Sequence, residues 1–111
     1  GVIADATYPA SALLHPRVYG TYPRLFERYV LGKGVLSLPE AVRKVTRQPA
    51  DRFGLRTKGR IEPGADADLC LFDPSALRER DSYEHPETLA TGMDYVLVGG
   101  RPAIAEARFT F

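Results

Sequence analysis

Cysteine occurs once and histidine twice in this chain of 111 residues. Cys70 alone can close no internal disulfide, and one thiol with two imidazoles offers no zinc-ligand cluster. Neither staples nor a structural metal is expected to hold the fold. No apolar run nears the roughly 18 residues that a membrane-spanning helix needs. The opening Gly1-Val2-Ile3-Ala4-Asp5 has neither the basic start nor the apolar stretch of an export signal. A basic excess is missing too: 15 Lys+Arg against 14 Asp+Glu leaves +1, with the two signs interspersed, and this gives nucleic acid no electrostatic footprint. Repeats and low-complexity tracts are absent. On these absences neither a membrane anchor nor a nucleic-acid partner is expected, and the cytoplasm is the expected compartment.

What is present suits a folded chain. A hydrophobic content of 44% against 26% charged residues supplies enough apolar surface to offset the entropy of ordering. The length allows one compact unit, which buries roughly 65% of the surface its unfolded chain exposes. The chain has no initiator Met, and its first five residues read as the end of a buried strand running into a polar tip at Asp5. It reads as a piece excised from a longer polypeptide.

From Ala6 to Tyr22, Pro9, Pro16 and Gly20 interrupt any period, which predicts a long loop. Leu25, Phe26, Tyr29 and Val30 recur at helical spacing after Pro23 and predict a helix of two to three turns, ended by Gly32 and Gly34. Ser37-Leu38-Pro39-Glu40 is a capping box, with Pro in the first turn, that opens a second helix carrying Leu38, Val42 and Val45 on one face. Pro49 restarts a short helix closed by Gly54. Beyond Thr57 the pattern turns to strands. Pro63-Gly64 marks a turn, Leu69-Cys70-Leu71-Phe72 a buried strand, and residues 75–92 a polar loop. Tyr95-Val96-Leu97-Val98, Gly99-Gly100 and Arg101-Pro102-Ala103-Ile104 form a hairpin with a two-residue turn. The residues predict an α+β arrangement with at least three short strands and a C-terminal hairpin.

The most specific words are Gly59-Arg60-Ile61-Glu62-Pro63-Gly64-Ala65-Asp66-Ala67-Asp68-Leu69-Cys70-Leu71-Phe72-Asp73 and, later, Val96-Leu97-Val98-Gly99-Gly100-Arg101-Pro102. Together they resemble the C-terminal end of the amidohydrolase superfamily. His15-Pro16-Arg17, Gly20-Thr21-Tyr22-Pro23-Arg24, Gln48-Pro49-Ala50-Asp51-Arg52-Phe53-Gly54 and Tyr83-Glu84-His85-Pro86 narrow the resemblance to the N-acyl-D-amino-acid deacylases. It covers nearly the whole chain. The resemblance implies an α+β fragment of a larger zinc-dependent hydrolase. Residues 1–58 would be the last strand and helices of a (β/α)8 metallohydrolase barrel. Residues 59–111 would be part of the flanking small β-sandwich.

Two site residues follow from it. Asp5 matches the aspartate at the tip of the eighth barrel strand, which takes a proton from the metal-bound water and returns it to the leaving nitrogen. On the residues alone it is an Asp ending a strand at a turn. The family carries Ser-Asp-Gly where this chain has Ala4-Asp5-Ala6, so a hydroxyl and a flexible glycine are lost around it. Arg17 matches the arginine that holds the substrate's free carboxylate, a task suited to a guanidinium fork. Its plain alternative is an exposed arginine in a surface ion pair.

The remaining candidates read as structural. His15 and His85 sit beside prolines in loops, Asp66 and Asp68 tighten a turn, and Cys70 is a small core residue. Arg78, Glu79, Arg80 and Asp81 read as a solvated face.

The implied whole protein hydrolyses N-acyl-D-amino acids to a carboxylate and a D-amino acid with zinc, most of whose ligands lie in the remainder of the same polypeptide. The fragment alone is expected to be inactive and to self-associate through faces that met the missing part. Two alternatives stay open. One is another amidohydrolase reaction, on a cyclic amide or a β-linked dipeptide; the other is a non-catalytic β-rich interaction module.

Overall fold

A computed structural model describes residues 2–5 and 14–110. The first helix starts at Pro16, whose φ of −52° and ψ of −26° are already helical. Proline lacks only an N–H that the first turn would leave unbonded. Helix α1 runs Arg17–Arg24, and its cap is an imidazole: His15 Nδ1 accepts the Arg17 backbone N–H at 3.0 Å. This corrects the loop expected up to Tyr22, because histidine is not among the residues that usually announce a helix start. Residues 6–13 of that expected loop lie outside the described residues.

Pro23 falls inside α1 and withdraws a donor from its ladder. Immediately afterwards Leu25–Gly32 winds as a π-helix. Lys33 N–H closes it on the Arg28 carbonyl, five residues back, at 2.8 Å. The helix expected after Pro23 therefore exists, but it continues α1 and is more widely wound. Helix α2, Leu38–Val45, opens with the predicted box: Ser37 Oγ accepts from Glu40 N–H, and Glu40 Oε2 accepts from Ser37 N–H at 3.2 Å. Helix α3, Arg47–Arg52, follows and includes Pro49.

The second half is a four-stranded antiparallel meander of β1 Leu69–Phe72, β2 Met93–Val98, β3 Arg101–Ala105 and β4 Arg108–Phe109. Leu69 pairs with Leu97, Val96 with Ile104, and Ile104 with Phe109. Gly99 and Gly100 take φ of +56° and +79°, the left-handed pair that a two-residue hairpin turn demands. The same glycines dock on the loop before β1. Gly100 N–H bonds the Ala67 carbonyl at 2.9 Å, and Gly99 N–H bonds Asp68 Oδ1 at 2.8 Å. The two distant words that carried the resemblance are thus one knot in space.

Leu25, Phe26, Ala41 and Leu77 form the buried centre, with Val2, Leu36, Leu38, Phe72 and Met93 packed around it. Phe26 meets Phe72 edge to face, ring centroids 5.7 Å apart, so helices and sheet share one core. Two further expectations are corrected. Strand β1 exists, but Cys70 and Leu71 are exposed, because β1 is an edge strand whose Phe72 end packs on the helices. Residues Val2–Asp5 form no strand, since no strand lies beside them among the described residues. Val2 nevertheless packs on the core while Asp5 is exposed.

Candidate functional site

Arg17, at the first position of α1, turns back onto Asp5. Its Nη2 donates to Asp5 Oδ2 at 3.0 Å and its Nε to the Asp5 backbone carbonyl at 3.0 Å. The two residues singled out from the sequence are therefore in contact. Their side chains are 45% and 64% exposed, so the ion pair adds little stability. Its effect is positional: one donor on the carboxylate and one on the backbone carbonyl of the same residue hold Arg17 against Asp5. Nη1 has no hydrogen-bond partner among the described residues. Arg17 must leave at least one of its Asp5 contacts before Nε and Nη2 can grip another carboxylate.

The frame around Arg17 is built from both halves of the chain. A neutral imidazole that accepts at Nδ1 carries its hydrogen on Nε2, which faces the Tyr83 hydroxyl at 3.2 Å. The His15 ring also stands edge-on to Tyr83, centroids 5.3 Å apart. His15 is thus a cap and a strut. His85 sits in the neighbouring turn, its N–H donating to Ser82 Oγ at 3.0 Å.

At the far end of α1, Arg24 donates to Glu79 through Nε at 2.7 Å and through Nη2, and Arg28 Nη2 adds a third bond at 3.2 Å. The Glu79 side chain is only 6% exposed, and its backbone N–H is held by Glu27 Oε2 at 2.8 Å. The Glu79 hydrogen bond raises the Arg24 pKa. This corrects the solvated face expected for Arg78 to Asp81: Arg80 is exposed, but Glu79 is covered by Arg24 and Arg28, which are remote in sequence.

Asp81 was missed altogether as a buried group. It is 7% exposed, and neither carboxylate oxygen has a hydrogen-bond partner. It lies against Gly20 of α1, where an added Cβ would come within 2.2 Å of Oδ1. Burial pushes its carboxyl above the ordinary range, with Arg24 and Arg28 opposing. Beside it is a cavity of about 230 Å³ whose lining includes Val2, His15, Arg17, Thr21 and Arg24. No local pattern around position 81 announces this, since burial is imposed by a helix far away in sequence.

The other candidates take structural places. Lys58 bridges Asp66, at 3.0 Å, and Asp68, while Thr57 Oγ1 donates to Asp66 Oδ2 at 3.0 Å. Lys58 holds both carboxyls below their usual range. Cys70, though exposed on the edge strand, is partly desolvated, which raises its thiol pKa. Among the described residues no three His, Cys, Asp or Glu side chains cluster as a metal ion would need. His15 has both ring nitrogens engaged, and Asp5 is engaged with Arg17. The donor set among the described residues does not make a zinc site.

The amidohydrolase family model matches residues 3–104. The chain belongs to the amidohydrolase family. It is similar to the D-aminoacylase of Alcaligenes xylosoxydans xylosoxydans, 41% identical over 96 residues, which are 86% of this chain and 20% of that protein. Among solved structures it is similar to a D-aminoacylase crystal structure, with a TM-score of 0.83 and 38% identity over 88% of this chain and 21% of that one. An N-acyl-D-glutamate deacylase from Bordetella bronchiseptica, complexed with zinc and a phosphonate mimic of the tetrahedral intermediate, gives a TM-score of 0.80 and 35% identity, covering 87% of this chain and 21% of that one. The chain spans about a fifth of the length of these relatives. The resemblance to amidohydrolases read from the sequence is borne out.

Proposed function

We propose that this chain is the C-terminal part of a zinc-dependent amidohydrolase that hydrolyses N-acyl-D-amino acids. Residues 1–58 belong to the end of its catalytic barrel and residues 59–111 to its small β-sandwich. In the reaction the oxygen of water bonds to the acyl carbon and the C–N bond breaks, leaving a carboxylate and a D-amino acid. Asp5 accepts the water's proton on a carboxylate oxygen and returns it to the departing nitrogen. Arg17 holds the carboxylate of the amino acid. The observation that supports this reading most is the Arg17–Asp5 contact at 3.0 Å, since it brings together the two residues to which the reading assigns proton transfer and carboxylate binding. Because the residues described here do not fit a zinc site, the zinc ligands are assigned to the rest of the polypeptide, and no step is derived through the metal. The compartment is the cytoplasm.

The isolated chain is inert on this reading, and it associates through apolar residues left bare, such as Ile3 at 81% and Phe53 at 75% exposure. Sedimentation of the chain as a pure monomer at high concentration would remove that part. In the enzyme that contains this chain, Asp5→Asn lowers kcat by about 10²-fold or more with little change in KM. Arg17→Ala raises KM for an N-acyl-D-amino acid and leaves KM for its neutral amide unchanged. Full turnover by Asp5→Asn, or an equal loss on both substrates with Arg17→Ala, overturns the reading.

A further inference from the structure

Asp81 takes no part in the reaction above. Both of its oxygens are closed off from solvent without a donor, and they press on the backbone of α1 at Gly20. An ionised carboxylate there forfeits more hydration than its own backbone N–H and the charges of Arg24 and Arg28 return. The arginines nearest to it are committed elsewhere: Arg24 and Arg28 donate to Glu79, whose own negative charge further disfavours ionisation of Asp81. Across the adjacent cavity stand His15, Arg17 and Tyr29. His15 is held by Tyr83, on the same segment as Asp81, and Arg17 is held by Asp5. Burial raises the Asp81 pKa, in keeping with this geometry. The cavity of about 230 Å³ has room for several waters at roughly 30 Å³ each.

We propose that Asp81 is a proton-operated latch on the helix that carries Arg17. Neutral, the carboxyl lies flat on Gly20, α1 stays seated, and Arg17 remains on Asp5. Ionised, the carboxylate turns into the adjacent cavity to reach water, the segment around 79–83 and α1 shift against each other, and Arg17 is released from Asp5. The latch itself involves no substrate. Only its consequence, a guanidinium freed for a substrate carboxylate, rests on the function proposed above.

The test uses the enzyme that contains this chain, without substrate, so its outcome is independent of turnover. With ¹³C-carboxyl aspartate and ¹⁵N labels, the Asp81 carboxyl, the Gly20 amide and Arg17 Nε are followed from acid to mildly alkaline pH. Asp81 is expected to titrate well above an ordinary aspartate, near 3.9 or so. Gly20 and Arg17 Nε are expected to shift with the same midpoint, and that midpoint disappears in Asp81→Asn. Asp81 titrating together with the exposed aspartates overturns the proposal. So does an Arg17 Nε that stays still while Asp81 titrates. Should Asp81→Asn fail to fold, the wild-type titration alone decides between these outcomes.

Discussion

Asp66/Asp68 and Glu79/Asp81 are two acidic pairs of the same spacing in one chain, and they live under opposite conditions. The first pair is exposed and fully partnered: Lys58 reaches both carboxylates, Thr57 one, and the Gly99 amide the other. The second is buried and split. Glu79 takes bonds from two arginines, and Asp81 takes none. Lys58 pulls the pKa values of the first pair down, whereas burial pushes that of Asp81 up. Spacing alone says nothing about a carboxylate; its neighbours across the fold decide whether it serves as turn glue, ion-pair anchor or proton store.

The contrast breaks most visibly at Glu79. Glu79→Gln removes the charge that two guanidiniums share and is expected to cost about 2–3 kcal/mol. This falls below the loss for a fully buried pair because the arginines are half exposed. A urea midpoint unchanged from wild type would count against it. Next is Gly20→Ala, whose methyl would collide with the Asp81 carboxyl, an overpacking worth about 1–3 kcal/mol. In an Asp81→Ala background the sign should reverse, since alanine is favoured over glycine inside a helix by about 1 kcal/mol. A double-mutant cycle with no coupling would refute the contact.

Third, Asp81→Asn should stabilise the chain at neutral pH by about 1 kcal/mol, no more, because the amide is also left without partners. With its folded pKa raised, Asp81 contributes fully below the unfolded value of about 3.9 and loses that contribution as pH rises through the raised value. The advantage of the variant should therefore fade in acid. Asp68→Asn, the smallest effect, should run the other way. Its folded pKa is lowered, so the stability it contributes exists above about pH 3.9 and is lost as pH falls through the lowered value. Denaturation curves for both variants across pH should have opposite slopes, and the Asp68 effect should shrink in high salt.

Elements closed by neighbours in sequence were legible. Ser37 and Glu40 sit three apart and cap α2 as spacing predicts, and Gly99-Gly100 makes the turn between β2 and β3. The start of α1 was hidden because its cap is an imidazole anchored on Tyr83. Strand β1 was legible as a strand but not as an exposed edge, since an apolar run does not say what covers it. At the candidate site, Asp5 and Arg17 came from matching family words. Their direct contact did not, because the stretch between them has no period that would fix where one lies relative to the other.

Local chemistry in the chain was enough to determine the capping box, the glycine hairpin, the α+β order of elements and membership in the amidohydrolase family. Those features depend on residues a few positions apart or on words read in line. The tertiary structure alone decided that Arg17 closes on Asp5, that Glu79 anchors two arginines, and that Asp81 is shut against Gly20 without a partner. The reason is physical: hydration and charge pairing are set by atoms brought close in space, and the packing of α1 on the segment after β1 places them there.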